Sequence, residues 1–297
     1  MDRLTEQAAL LALLRPRRRG CAQIADQVEE AGSALRVLEE QYAGGQGDLF
    51  EPPTTDLSEH LDRAAAEISR WDSRDIRLVT LLDEDYPAQL LTVHQRPPFL
   101  FYRGTLSTSD ASGIAVVGTR KASPTALERA AEIASGLARR GRTVVSGLAA
   151  GIDTAAHQAA LEQNGRTVAV IGSGLLRAYP PQNADLQERI ARQHLVLSQF
   201  WPDQAPSKTS FPMRNAIMSG YAAATVVVEA PEHSGARIQA RLALEHGRPL
   251  FLLDTLLTHT WAREYAKRPG AAVVSDAGEV LDRLDEIRTT PDEVAWP

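Results

Sequence analysis

The sequence predicts an α/β protein, an extended Rossmann-like parallel sheet with helices on both faces, preceded by a small helical domain. Two patterns carry this. From Gly113 onward, short, wholly apolar, β-branched runs alternate with stretches of helical character, and strands that are apolar on both sides belong to parallel sheets covered by helices. Before Gly113, apolar residues recur at three- and four-residue steps, the spacing of one-sided helices.

Taken in order, Thr5–Leu14 and Gln23–Tyr42 read as helices, the second with a stripe of Ile24, Val28, Ala31, Leu35 and Leu38. Residues 44–56, GGQGDLFEPPTTD, have the composition of a linker or exposed loop. A helix over Leu57–Trp71 follows, then a strand at 76–82 and a short strand-and-turn lead-in through DEDYPAQL and RPPFLFYRG. Strands are then expected at 114–118, 143–147, 167–174, 195–198, 225–230 and 249–254, with an edge strand at 273–275. This divides the chain into an N-terminal helical domain (1–75), the sheet-bearing core (76–275) and an acidic helix or tail (276–297).

Composition limits the function classes. A net charge of −6 argues against a nucleic-acid partner until it is resolved along the chain. Residues 113–275 hold 18 Lys and Arg against 12 Asp and Glu, while 1–112 hold 12 against 19 and 276–297 hold 2 against 7. The core is therefore basic and its flanks acidic, and such asymmetry is a better guide to partners than the total. The single cysteine, Cys21, excludes an internal disulfide and a cysteine-rich metal site. No run approaches the roughly 20 apolar residues of a membrane span, and the N-terminus lacks the order of a signal peptide. A cytoplasmic protein is expected.

In an open parallel sheet the ligand sits beyond the carboxyl ends of the strands, and the turns there are distinctive. In GTRKAS (118–123) Gly118 permits a sharp bend, Thr119 and Ser123 offer hydroxyls, and Arg120 offers a bidentate fork for phosphate. Ser123-Pro124 reads as a helix start, which favours an anion. In SGLAAGID (146–153) Gly147 and Gly151 allow close backbone approach, Asp153 is placed to cap the next helix, and His157 reads as a structural residue. Gly172 and Gly174, with YPPQN (179–183) beyond, line another phosphate pocket. Arg177 stands where a dinucleotide fingerprint needs its third glycine, and Ser198 where the following strand would end in an acid, so an ordinary dinucleotide dehydrogenase is not expected.

The segment 207–222, SKTSFPMRNAIMSGYA, is the most informative. Lys208, Phe211, Arg214 and Asn215 combine phosphate charge with one aromatic face, the ingredients of single-strand binding. Ser234 and Gly235 precede a further helix and offer amides, with Arg237 and Arg241 on one of its faces. No zinc-protease motif, nucleophile elbow, Walker loop or carboxylate pair is present. No catalytic residue, cofactor or metal is expected, and Glu229 is assigned a supporting role.

Together these motifs resemble the DNA-processing protein A (DprA/Smf) family. DYPAQL, PPFLFYRG, VVGTRKAS, VVSGLAAGIDTAAHQAAL, AVIGSG, YPPQN, FPMRN, VVVEA and SGARIQARLALEHGR occur in the family's order over roughly Asp85 to Gly247. The resemblance implies a Rossmann-like domain that binds single-stranded DNA, forms a homodimer and delivers the strand to the RecA recombinase, in natural transformation or related DNA handling. It further implies that Arg120 binds a phosphate, Lys208 lies in the basic pocket and Phe211 contacts a base. Arg214 and Asn215 would complete the pocket, and Ser234 and Gly235 would add amide contacts. The chain departs from the family at Ala216, Gln199, Asp254-Thr255 and the segment 259–270, and no winged-helix domain is expected before its last residue, Pro297. The alternative reading is a nucleotide-binding sensor or phosphoribohydrolase-like protein, but APEHSGARIQ (230–239) lacks the Pro-Gly-Gly-x-Gly-Thr loop of the hydrolases.

Overall fold

A computed structural model describes residues 2–15, 21–43, 57–93 and 96–289. The N-terminal helices are α1 (Arg3–Leu14), α2 (Cys21–Ala31), α3 (Ala34–Ala43) and α4 (Leu57–Asp72). Next come β1 (Arg77–Thr80), α5 (Ala88–Leu91) and β2 (Phe99–Gly104). The alternating part runs β3 (Ile114–Val117), α6 (Pro124–Arg139), β4 (Val144–Ser146), α7 (Ile152–Glu162), β5 (Thr167–Val170), α8 (Ala184–Gln193) and β6 (Leu195–Ser198). It continues with α9 (Ser210–Tyr221), β7 (Ala224–Val227), α10 (Ala236–Glu245), β8 (Leu250–Leu253), α11 (Thr260–Tyr265), β9 (Ala271–Val274) and α12 (Ala277–Thr289). The linker expected at 44–56 lies outside the described residues, as does the end of the acidic tail.

The strands form a nine-stranded sheet ordered β1-β2-β6-β5-β4-β3-β7-β8-β9. From β6 to β9 every pairing is parallel, as the apolar runs require. The sheet is not parallel throughout, however. The expected lead-in forms two full strands, and β2 pairs antiparallel with both β1 and β6. FLFY is an apolar run of four, so it is buried like an inner strand rather than left at an edge.

Helices cover both faces, and alternation within the strands shows how. On β5, Val168 and Val170 join one apolar core, while Ala169 and, just past the strand, Ile171 join a second. On β2, Leu100 and Tyr102 face the first core and Phe99 and Phe101 the second. Helix α6 packs with α7 and α12, and α9 with α5 and α10; the first core draws on both sets and includes all of β3 and β8, while the second contains Leu10, Leu11, Ile24 and Val28 of the N-terminal helices. Trp71, Phe101 and Trp201 interlock there, with the Trp71 and Phe101 centroids 5.0 Å apart, edge to face. Among the described residues, no helix is long and apolar enough to cross a membrane.

The helix expected over Gln23–Tyr42 is two helices. Gly32 turns the chain with φ +66°, and Glu6 then caps α3, accepting from the Ala34 and Leu35 amides at 2.6 and 3.2 Å and from Ser33 Oγ at 2.8 Å. An uninterrupted apolar stripe hides such a break, because both helices keep the same side inward.

At the amino ends of the strands, opposite the expected ligand edge, a fully buried carboxylate ties four segments together. Asp110 accepts from Arg166 Nε (2.6 Å) and Nη2 (2.7 Å), Thr143 Oγ1 (3.0 Å) and the Tyr221 hydroxyl (2.8 Å). Burial and this carboxylate together hold the Tyr221 hydroxyl well above the usual phenol range. Removing one member of a buried ion pair strands the other, at about 3–5 kcal/mol. Asp110→Ala is expected to lose stability on that scale in urea unfolding, far more than an exposed Asp→Ala control.

Candidate nucleic-acid interface

The strand order reverses between β3 and β7, and a cleft starts there and runs over the carboxyl ends of β4 and β5. It is lined by Arg120 from the turn after β3, Gly147, Ala149 and Ala150 after β4, Gly172, Ser173, Tyr179 and Pro180 after β5, and Phe211 and Arg214 of α9. The cleft is small and open to solvent, with a cavity volume of about 70 Å³. Five expected residues thus converge: Arg120, Gly147, Gly172, Phe211 and Arg214.

Its floor is a buried guanidinium. Arg214 is 5% exposed and donates to the Gly147 carbonyl and, at 2.9 Å, to that of Val170, while its Nε donates to Asn215 Oδ1 at 3.0 Å. Burial pushes its pKa below the usual arginine range, with Asp153 opposing and Arg120 adding to the shift. A Cβ at Gly147 would run into this guanidinium, and one at Gly172 would meet the Phe211 ring at 2.8 Å. These two glycines are set by close approach.

Asp153 does not cap α7 as expected. Gly151 holds the N-cap position, and the carboxylate accepts the Gly147 and Ala149 amides at 3.2 and 3.3 Å, fixing the turn from within. Burial raises its pKa, and Arg214 and the two amides counter it.

The turn at 118–123 is clamped to β7. Glu229 accepts from Ser123 N (2.9 Å) and Ser123 Oγ (3.0 Å), and its carbonyl accepts from Thr119 N (2.7 Å). Ser123 also caps α6, accepting from Ala126 N at 3.2 Å, so its hydroxyl is already engaged. The Thr119 hydroxyl likewise accepts from Lys121 N. The Arg120 side chain remains exposed, its guanidinium carbon 4.6 Å from the Phe211 ring centroid.

The other expected residues fall into different positions. Gly118 packs on Ile152, and Gly174 on the Trp201–Pro202 backbone. Lys208 is exposed in the turn before α9 and does not line the cleft. Asn215 reaches the Gly235 carbonyl at 3.4 Å. The Ser234 hydroxyl takes the Ala236 amide, so the amides at that helix start are not all free. Arg237 and Arg241 pair with Glu232 and Glu245. The sequence reading placed YPPQN at this pocket without singling out Tyr179, which lines the cleft; an aromatic before a Pro-Pro turn after a glycine bend was the available signal.

A family model described as DNA recombination-mediator protein A matches residues 77–285. The chain belongs to this family. Among its relatives, the DNA processing protein DprA of Streptococcus pneumoniae is 42% identical over 211 residues, covering 69% of this chain and 73% of that protein. Protein Smf of Synechocystis sp. is 43% identical over 190 residues, covering 63% of this chain, so the match spans about half, 48%, of that relative's length. The X-ray structure of the pneumococcal protein superposes with a TM-score of 0.65 at 31% identity, covering 94% of this chain and 93% of the other. The solved structure of DNA processing protein A from Helicobacter pylori, described for its unique single-stranded DNA binding mode, gives 0.62 at 28% identity, covering 70% and 96%. The Rossmann-like fold is thus that of the family.

Two consequences can be measured. Each bond lost from the Glu229 clamp is worth about 1 kcal/mol, so Glu229→Ala should lower the melting temperature modestly and speed amide exchange at Ser123. His157, fully buried with Nδ1 2.7 Å from Thr167 Oγ1, has its pKa lowered to about 3 by burial, with the Arg214 charge adding to it. A histidine held neutral contributes stability that is complete above its unfolded pKa of about 6.5 and is lost as pH falls from there toward the folded value. Urea midpoints should drop below pH 6.5, and His157→Gln should flatten that part of the profile.

Proposed function

We propose that the cleft binds single-stranded DNA and that the chain acts, without catalysing a reaction, as a recombination mediator that protects the strand and loads it onto RecA. The observation that carries this is the meeting of two guanidinium groups, from Arg120 and Arg214, with the Phe211 and Tyr179 rings over glycine turns. Positive charge supplies phosphate affinity without sequence preference, and a ring accepts any base. Lys208, exposed at the start of α9, extends the charge, and the basic core confines it to the sheet-bearing part. The similarity to the H. pylori protein, whose structure is described for its single-stranded DNA binding mode, supports the same ligand. The mediator works as a homodimer in the cytoplasm, and Gly118, Thr119, Ser123, Gly174, Asn215, Ser234 and Gly235 shape the binding edge more than they touch the ligand.

Fluorescence anisotropy with a labelled oligothymidine tests the assignment. Affinity should fall with added salt. Removing one charged phosphate contact is worth about 1.5–3 kcal/mol, so Arg120→Ala should weaken binding about 10- to 150-fold. Its log–log salt slope should shrink by about 0.7, the single-strand value per phosphate. Lys208→Glu should act in the same direction. Unchanged affinity in both variants rejects the site.

A further inference from the structure

Outside the cleft, the carboxyl edge of the sheet carries a second set of guanidinium groups on its β6 side. The loops after β5 and β6 are laced together there. Gly174 N donates to the Gln204 carbonyl at 2.8 Å, Leu176 N to that of Pro202 at 2.8 Å, and Arg177 Nε to that of Asp203 at 3.2 Å. Arg177 is exposed, and its carbonyl accepts from the hydroxyl of Ser173, a cleft residue, at 3.3 Å. The N-terminal helices meet the same loop. Arg15, at the end of α1, stands over the Trp201 ring with its guanidinium carbon 5.0 Å from the centroid. Trp71 of α4 packs on that ring with centroids 6.0 Å apart.

Charge at this junction is unbalanced. Glu67 of α4 is shared by two cations, Arg15 and, at 3.7 Å, Arg70. Burial and the like charges of Arg63 and Arg70 push the Arg15 pKa below the usual arginine range, with Asp203 opposing them. Even so, the side chains of Arg15 and Arg70 are 45% and 72% exposed, and Arg63 is exposed as well. On the opposite flank of the cleft, Arg237 and Arg241 each have a carboxylate of their own. Guanidinium groups that outnumber their carboxylates attract a polyanion, and these lie along one edge with the cleft.

We propose that a single strand leaving the cleft runs over Arg177 to Arg15, Arg63 and Arg70, so that the N-terminal helices hold its phosphates. This rests on the reading of the cleft as a single-strand site. The Trp201 ring is packed among Phe99, Phe101, Trp71 and Arg15, so the extension offers charge rather than a stacking face. It binds the phosphodiester backbone and leaves the bases free. The strand therefore leaves toward β6, where the arginines are under-neutralised, and not toward β8.

Anisotropy titrations with oligothymidines of increasing length, starting from the shortest that binds, test this. Affinity should rise beyond that length, and the log–log salt slope should grow by about 0.7 for each phosphate gained. Extra length added as abasic tetrahydrofuran units should give the same gain. Arg15→Ala and Arg177→Ala should each cost the long oligomer about tenfold, the low end for a charged contact at an exposed position. Both should leave the shortest oligomer nearly unchanged. Arg15→Lys should keep most of the gain, and Arg241→Ala should affect neither length. The proposal is overturned by long-oligomer affinity unchanged in both alanine variants, by an equal loss on short and long oligomers, or by extra length that counts only when it carries bases. Wild-type protein that binds no oligothymidine removes the single-strand reading itself, and the extension with it.

Discussion

A guanidinium almost sealed from water, that of Arg214, sits where the ends of β4 and β5 meet α9, and the cleft is arranged around it. Two strand-end carbonyls, those of Gly147 and Val170, accept its protons, and the Asp153 charge opposes the cost of its burial. A buried cation is tolerated only when it is paired and hydrogen-bonded. Residue 147 must therefore lack a side chain, Asp153 must turn inward to the amides of its own loop, and His157, beneath the same charge, stays neutral. The turn after β4 is in this sense the shell of one charged group.

Above that shell the site divides its work. The exposed Arg120 is mobile in principle, yet it rests on Phe211, and its turn is clamped across the switch point by Glu229. The β3 and β7 sides of the cleft are thereby coupled through one carboxylate. The hydroxyls of Thr119, Ser123 and Ser234 bind backbone rather than remaining open, which makes them parts of the frame.

Most of the fold was legible because its signals are local. Wholly apolar runs mark inner parallel strands, and Ser123-Pro124 marks a helix start at the residue where α6 begins. Other features were hidden for equally physical reasons. The β2–β6 pairing is antiparallel, and an apolar run such as FLFY carries no mark of strand direction. The break at Gly32 was masked by continuous amphipathicity, and its cap comes from Glu6, 28 residues from Ala34 in sequence. Within the site, the glycine turns, Arg120 and the 208–215 segment were readable as a binding edge. Composition could not reveal that Tyr179 stands beside Phe211 at the cleft mouth, since that depends on how two loops from different strands close against α9. Nor could it reveal that a serine hydroxyl at a helix start is engaged by a glutamate at the end of the neighbouring strand.

The sheet order has a mechanical consequence. Any load on a molecule held in the cleft enters the protein at the turns after β3, β4 and β5, which are central strands with a hydrogen-bonded neighbour on each side. Pulled along its axis, a central strand must shear two ladders at once, whereas an edge strand can be peeled away one bond at a time. The antiparallel pair β1–β2 moves that weak margin two strands beyond β6. A polymer tugged from outside would thus find its anchor in the part of the sheet that yields last.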